Sequence, residues 1–233
     1  MARKRGKQDG RPALVKRDGA LALTFVNTGS RRSRRLRDYA DLLAWSVQQG
    51  ALTAADASRL GELAAERPRD AAAGFAVAEE LHALLSRVFN GLADRQAPTA
   101  EAVRELNALW ERIVPRSVLA AGATRLQWTL PDEDRDVYRP LRAVALSASA
   151  VLTSNHYGKV RRCAREGCDV LFLANRHGLP RKWCDDRTCG APLRSKQYYL
   201  RVTKPERKAA EEEWKRNLRR RRNEQEPAGP AAE

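Results

Sequence analysis

The sequence predicts a mainly α protein with a few short strands (α+β), in which a helical amino-terminal domain precedes a small four-cysteine module and a basic helix. Three observations carry this. Apolar residues recur at three- and four-residue steps through most of residues 39–152, the spacing of one helix face. Only one stretch in that region, Arg125 to Leu130, reads as a strand. All four cysteines fall between Cys163 and Cys189, and helix-forming sequence follows them. The expected organisation is a disordered basic arm over 1–19, a helical domain over 20–157, the cysteine module over 158–203, a basic helix over 204–225 and a disordered tail over 226–233.

Taken in order, the apolar run Leu21 to Val26 lies between Gly19 and Asn27-Thr28-Gly29 and predicts a short strand followed by a turn. Leu36, Tyr39, Ala40, Leu43 and Val47 then share a helix face, and Gly50 stops that helix. Thr53 with Asp56 opens the next helix, which carries Leu60 and Leu63 inward. A long helix from about Asp70 to Ala93 buries Val77, Leu81, Leu84, Leu85, Val88, Phe89 and Leu92. Pro98-Thr99 starts another, with Val103, Leu106, Trp110 and Ile113 inward, ending before Pro115. Arg125 to Leu130 alternates as a half-buried strand that Pro131 to Asp134 closes, and Pro140 begins a helix with Leu141, Val144, Ala145, Ala148, Val151 and Leu152 buried.

The cysteines are spaced Cys163-x4-Cys168, fifteen residues, Cys184-x4-Cys189. Two close pairs separated by a hairpin-length insert are the pattern of a four-thiolate zinc site, because a tight turn lets both thiolates of a pair converge on one metal. Gly167 and Gly190 stand beside ligands, where turn freedom is useful. Four thiolates leave no place for water, so one structural Zn2+ and no catalytic metal is expected. Two disulfides, an iron–sulfur cluster or unrelated buried cysteines are the alternatives. Val170 to Leu173 predicts a strand, Asn175 to Gly178 a turn and Lys182-Trp183 the return beside that strand. A helix from the second pair makes the module treble-clef-like. Thr203 to Glu206 has capping-box spacing and predicts the start of a new helix. His177 is expected to be a solvated loop residue.

The formal charge of +15 is unevenly placed. Residues 1–37 hold 12 Lys/Arg against 2 Asp/Glu, residues 38–158 hold 12 against 16, and residues 159–222 hold 20 against 8. A mildly acidic body with basic ends predicts a polyanionic partner, with nucleic acid first and DNA ahead of RNA. Arg181, Lys182, Arg194, Lys196, Tyr198 and Arg201 are the candidate contacts, for phosphates or for base stacking. No uncharged apolar run of about 18 residues occurs, so no membrane partner is expected and a cytoplasmic location follows.

Some of these residues resemble a known family. Leu21 to Thr28 is similar to the opening strand motif of the ABATE domain, assigned to stress-induced transcription regulators, although Thr24 stands where an acidic residue is usual. Tyr39 to Gly50 with Leu52 is similar to its first helix and turn. Arg161-Arg162-Cys163 to Cys168, Leu171 to Leu173, and Arg181 to Gly190 resemble the bacterial CGNR zinc finger in order and spacing. One departure is plain: Gly190-Ala191-Pro192 follows the last cysteine where the family has Gly-Asn-Arg, so contacts of that Asn-Arg pair are not carried over.

The resemblance implies a DNA-binding transcription regulator whose helical domain senses a small-molecule effector or forms a homodimer. Asn27, Thr28 and Arg31, just after the first apolar run, are the weak candidates for an effector pocket. A non-catalytic RNA- or ribosome-associated protein fits the same charges. Catalysis is not expected, since His82 and His156 stand alone within or near helices, without a Ser–His–Asp order, phosphate-cradling glycine loop or acidic metal cluster.

Overall fold

The computed structural model describes residues 20–31, 33, 35–114, 118–121, 126–129, 136–174 and 181–225. The expected arm, tail, 175–178 turn and 131–134 turn, together with His177, lie outside the described residues. The chain divides into two compact units between Cys184 and Asp185.

In the first unit the run read as a strand is instead a helix, α1 (Ala20–Val26), followed by a 3-10 turn, Asn27–Gly29. A six-residue apolar run has no periodicity that separates a buried strand from a buried helix. Tertiary packing decides it here. Ala22, Leu23 and Phe25 are almost fully buried, with α1 packed on helices α4 (Pro68–Ala93) and α6 (Arg139–Leu152). Its first-turn Ala22 N–H, which no helical carbonyl can receive, donates to Ser147 Oγ of α6 at 3.1 Å.

Helix α2 (Tyr39–Gln48) is capped by Asp38, whose carboxylate accepts the Asp41 N–H at 2.7 Å, and ends at Gly50 as expected. Helix α3 (Ala54–Glu66) has the Thr53–Asp56 capping box. α4 begins at Pro68, a first-turn position where the missing N–H costs nothing, and its stripe from Val77 to Leu92 forms the centre of the core. Helix α5 (Ala100–Ile113) is capped by Thr99. Its buried face is Ala102, Leu106, Leu109 and Ile113, so Val103 falls on the flank and is 45% exposed, contrary to expectation. Strands β1 (Val118–Ala121) and β2 (Leu126–Thr129) form an antiparallel pair; β1 was not read from the sequence.

Two buried polar groups steady the body. Arg142 on α6 pairs with Asp136 and donates to the Ile113 carbonyl at 3.3 Å. Tyr39 donates its hydroxyl to the Val137 carbonyl at 2.9 Å, and burial, with Asp136 nearby, pushes that phenol well above its ordinary range.

After α6 a 3-10 turn, Tyr157–Lys159, leads into strand β3 (Val160–Arg162), paired antiparallel with β4 (Leu171–Leu173). The strand at 171–173 was expected, but its partner was not Lys182-Trp183. Val160 is the reason: it is fully buried, and with Leu171 and Leu173 it is continuous with the helical core against α4. The backbone of the 181–182 segment bonds outside the β3–β4 ladder, through Arg181 N–H to Ala174 O and Ala164 N–H to Lys182 O, each 3.0 Å.

In the second unit a π-helical turn, Asp186–Gly190, leads into one continuous helix, α7 (Ala191–Gln225). No new helix starts at Thr203. Pro205 sits inside α7 and cannot donate to the carbonyl four residues earlier, but in a helix this exposed water can satisfy that carbonyl. Among the described residues no helix is long and apolar enough to cross a membrane.

Candidate metal centre

The sulfurs of Cys163, Cys168, Cys184 and Cys189 all lie within 4.8 Å of one another. Cys163, Cys168 and Cys189 are buried, and Cys184 is half-buried. Each pair is shaped locally. Cys168 N–H returns to Arg165 O at 3.0 Å, closing a turn in which Gly167 takes φ +74°, a left-handed conformation that a β-carbon would strain. Cys163 N–H bonds to Val170 O at 3.0 Å, tying the first ligand to the β3–β4 hairpin. Cys184 N–H points at Cys163 Sγ, 3.5 Å away.

For the second pair, Asp185 builds the turn. Its carboxylate accepts the Thr188 N–H at 2.8 Å and hydroxyl at 2.9 Å, and those bonds hold it below the usual carboxylate range. Its carbonyl receives the N–H groups of Cys189 and Gly190. Gly190 is therefore helical, and the turn freedom expected of it is not used.

The donor set fits one zinc ion. None of the four cysteines is in a disulfide, and the Cys168 and Cys184 sulfurs are 3.9 Å apart, far beyond the ~2.05 Å of such a bond. Thiolates ~2.3 Å from a tetrahedral zinc stand ~3.8 Å from one another, close to the 3.9 Å between Cys168 and Cys184 and compatible with four sulfurs all within 4.8 Å. A polynuclear cluster would hang its sulfurs on different metal atoms and spread them further. Burial pushes the Cys163 thiol up, so a metal must displace its proton on binding. With four sulfurs available the site has no open coordination position and is structural.

The other expected site residues are placed as follows. Arg181 lies over the Phe172 ring, 4.7 Å from its centroid, and Lys182 is exposed. Arg194 forms a two-pronged pair with Asp186 at 2.7 and 2.8 Å, which holds that carboxyl below the usual range and binds the start of α7 to its preceding turn. Lys196 and Tyr198 are exposed on α7, and Arg201 is a position of the same helix.

Asn27, Thr28 and Arg31 do not share one task. Asn27 Nδ2 donates to the Leu171 carbonyl and its Oδ1 accepts the Leu171 N–H, both at 2.9 Å, so its carboxamide completes the outer edge of β4 as a neighbouring strand would. Arg31 N–H bonds the Asp169 carboxylate at 3.2 Å. Thr28 donates to Phe25 O at 2.7 Å and borders a cleft with His82, Phe75 and Arg35. His82 is tied to the end of α1: its Nε2 lies 3.0 Å from Val26 O.

Sequence reasoning missed Asp185 and the Asn27 clamp. The Asp-x-x-Thr capping spacing could have revealed the first, whereas nothing local announces a contact 144 residues away.

A helical body with a four-thiol metal knuckle and a basic helix defines a zinc-finger protein. Residues 19–155 match the ABATE family, described as "Putative stress-induced transcription regulator", and residues 159–202 match the CGNR zinc finger. The chain belongs to the ABATE family and carries a CGNR zinc finger. No curated protein and no solved structure matches it.

Proposed function

We propose that the protein is a cytoplasmic DNA-binding transcription regulator, in which zinc shapes the knuckle, α7 presents cations to phosphates and the helical body senses an effector. The observation that carries this is the register of α7. At 100° per residue, Arg194, Arg201, Lys208, Arg216 and Arg219 fall within an arc of ~80°, with Tyr198 among them and Glu212 the one carboxylate. Leu200, Ala210, Trp214 and Leu218 fall on the opposite side, together with Lys196 and Arg207. A cationic stripe of this kind positions a protein on a duplex backbone. The family description supports transcription as the context.

The test is mobility-shift titration of the zinc-loaded chain on duplex DNA across a salt series. Replacing Lys208, Arg216 and Arg219 together by Gln should weaken binding by more than ~10-fold and flatten the slope of log K against log salt, since each phosphate contact contributes roughly 0.9 to it. No shift at low salt, or an unchanged slope in the triple variant, overturns the reading. Tighter binding to single-stranded or hairpin RNA than to duplex DNA would move the target to RNA.

A further inference from the structure

The turn Asn27–Gly29 belongs to two sites at once. On one side Asn27 holds both backbone groups of Leu171, and the neighbouring Arg31 N–H holds Asp169, so the turn is tied to the hairpin that carries Cys163 and Cys168. On the other side lies a cleft lined by Phe25, Thr28, Arg35, Leu36, Phe75 and His82. His82 links the cleft to the turn. Its Nε2 is bonded to Val26 O, and its ring stands edge-on to Phe25, with centroids 5.5 Å apart. It also presses on Gly29, where a β-carbon would sit 2.7 Å from His82 Cε1. A molecule that shifts the His82 ring must therefore shift the turn.

We propose that this cleft binds a small aromatic monocarboxylate and that its occupancy is transmitted through Asn27 to the zinc hairpin. The walls set the class. Phe75 and Leu36 offer apolar surface for one ring over the buried Phe25, and the cleft encloses about 90 Å³ before it opens to solvent. A dry cavity of ~150 Å³ encloses benzene whole, so this smaller, open cleft takes one ring in part and leaves its substituent at the rim. Arg35 supplies the charge. It is 80% exposed at the rim, and its partner Glu79 stands 3.7 Å away, too far for a hydrogen bond, which leaves the guanidinium fork able to take a carboxylate. Glu79 beside it disfavours a second negative charge on the ligand. The Thr28 hydroxyl and the His82 imidazole, which burial keeps toward its neutral form, add uncharged polar contacts. Coupling between sites needs an element that both can bias, and the turn is that element.

This deepens the sensing part of the regulatory reading. Its test needs no nucleic acid, so failure of DNA binding and failure of this proposal are distinguishable. The zinc-loaded, 15N-labelled chain is titrated with benzoate, with benzyl alcohol and phthalate as comparison probes. Benzoate should shift the Thr28, Gly29 and Leu171 amides along one saturation curve with a Kd of ~1 mM or tighter. Phthalate should bind more weakly. Arg35→Gln should weaken benzoate ~10-fold and leave benzyl alcohol unchanged, and Ala83→Trp at the mouth should abolish both. Asn27→Ala should keep benzoate binding and lose the response at Leu171. On the unmutated protein, saturating benzoate should also change hydrogen exchange of the Leu171 amide and not that of Leu109 on α5, a readout that survives if Asn27→Ala fails to fold. Absence of saturation, or saturation indifferent to Arg35→Gln and Ala83→Trp, overturns the site. An unchanged Leu171 exchange rate at saturation overturns the transmission.

Discussion

Replacing Asn27 by Ala tests how the zinc hairpin is held. The side chain makes two bonds of 2.9 Å to one residue, and Leu171 is buried, with 3% of its surface exposed. Each bond contributes a net ~1 kcal/mol, and a buried backbone group left without a partner costs ~1–3 kcal/mol. Alanine is too short to replace either bond, and water reaches the Leu171 edge poorly. The expected loss is therefore about 2–4 kcal/mol. Equilibrium guanidinium denaturation of the zinc-loaded chain, followed by tryptophan fluorescence, measures it through a lowered midpoint at constant slope. Zinc competition with a chelator should weaken in parallel, because Cys163 N–H is bonded to Val170 O immediately beside the clamp. A stability loss below ~0.5 kcal/mol, the scale of an ordinary surface substitution, would refute the clamp as a structural tie.

Three further outcomes follow from the same geometry. Gly29→Ala should cost about 1–3 kcal/mol by thermal denaturation, because its β-carbon meets a tethered His82 ring, and the cost should shrink in a His82→Ala background. Burial depresses His82 below its ordinary 6.5, so its contribution to stability is complete above pH 6.5 and is lost as pH falls through its lower folded value; denaturation midpoints should decline on acidification and then level, and His82→Gln should remove that decline. Metal analysis should find one zinc per chain, and Cys168→Ser or chelation should lower the unfolding temperature by well over ~5 °C, since binding free energy of a structural zinc is folding free energy.

What was legible in the sequence was local. Thr53, Thr99 and Pro140 mark helix starts by chemistry confined to one turn, and the 3.6-residue stripe marks the bodies of α2 to α6. The four ligands were legible for the same reason, because a Cys-x4-Cys spacing encodes a turn geometry. Leu21 to Val26 was not, since its apolar run suits either a strand or a helix and only α4 and α6 choose between them. Val160 carries no local signal, because its burial depends on Leu171 and α4. Thr203 to Glu206 carried a true capping pattern, but the helix already running from Ala191 leaves no terminus there to cap. Arg194 reads as a candidate phosphate contact, and its pairing with Asp186, eight residues away, depends on the turn at the start of α7.

The burial of Val160, Leu171 and Leu173 in the helical core sets a limit on how this architecture can be cut and recombined. The two matched regions meet between residues 155 and 159, which invites treating the finger as an exchangeable cassette. A chimera joined there would strip three apolar side chains from the flank of α4 and leave the Asn27 carboxamide facing water. It would also graft onto the new host a hairpin whose inner face was shaped for α4. Exchange of specificity between relatives should succeed only when the crossover lies beyond Cys184, so that the hairpin travels with the helices it completes and the recombined part is the turn and helix that follow.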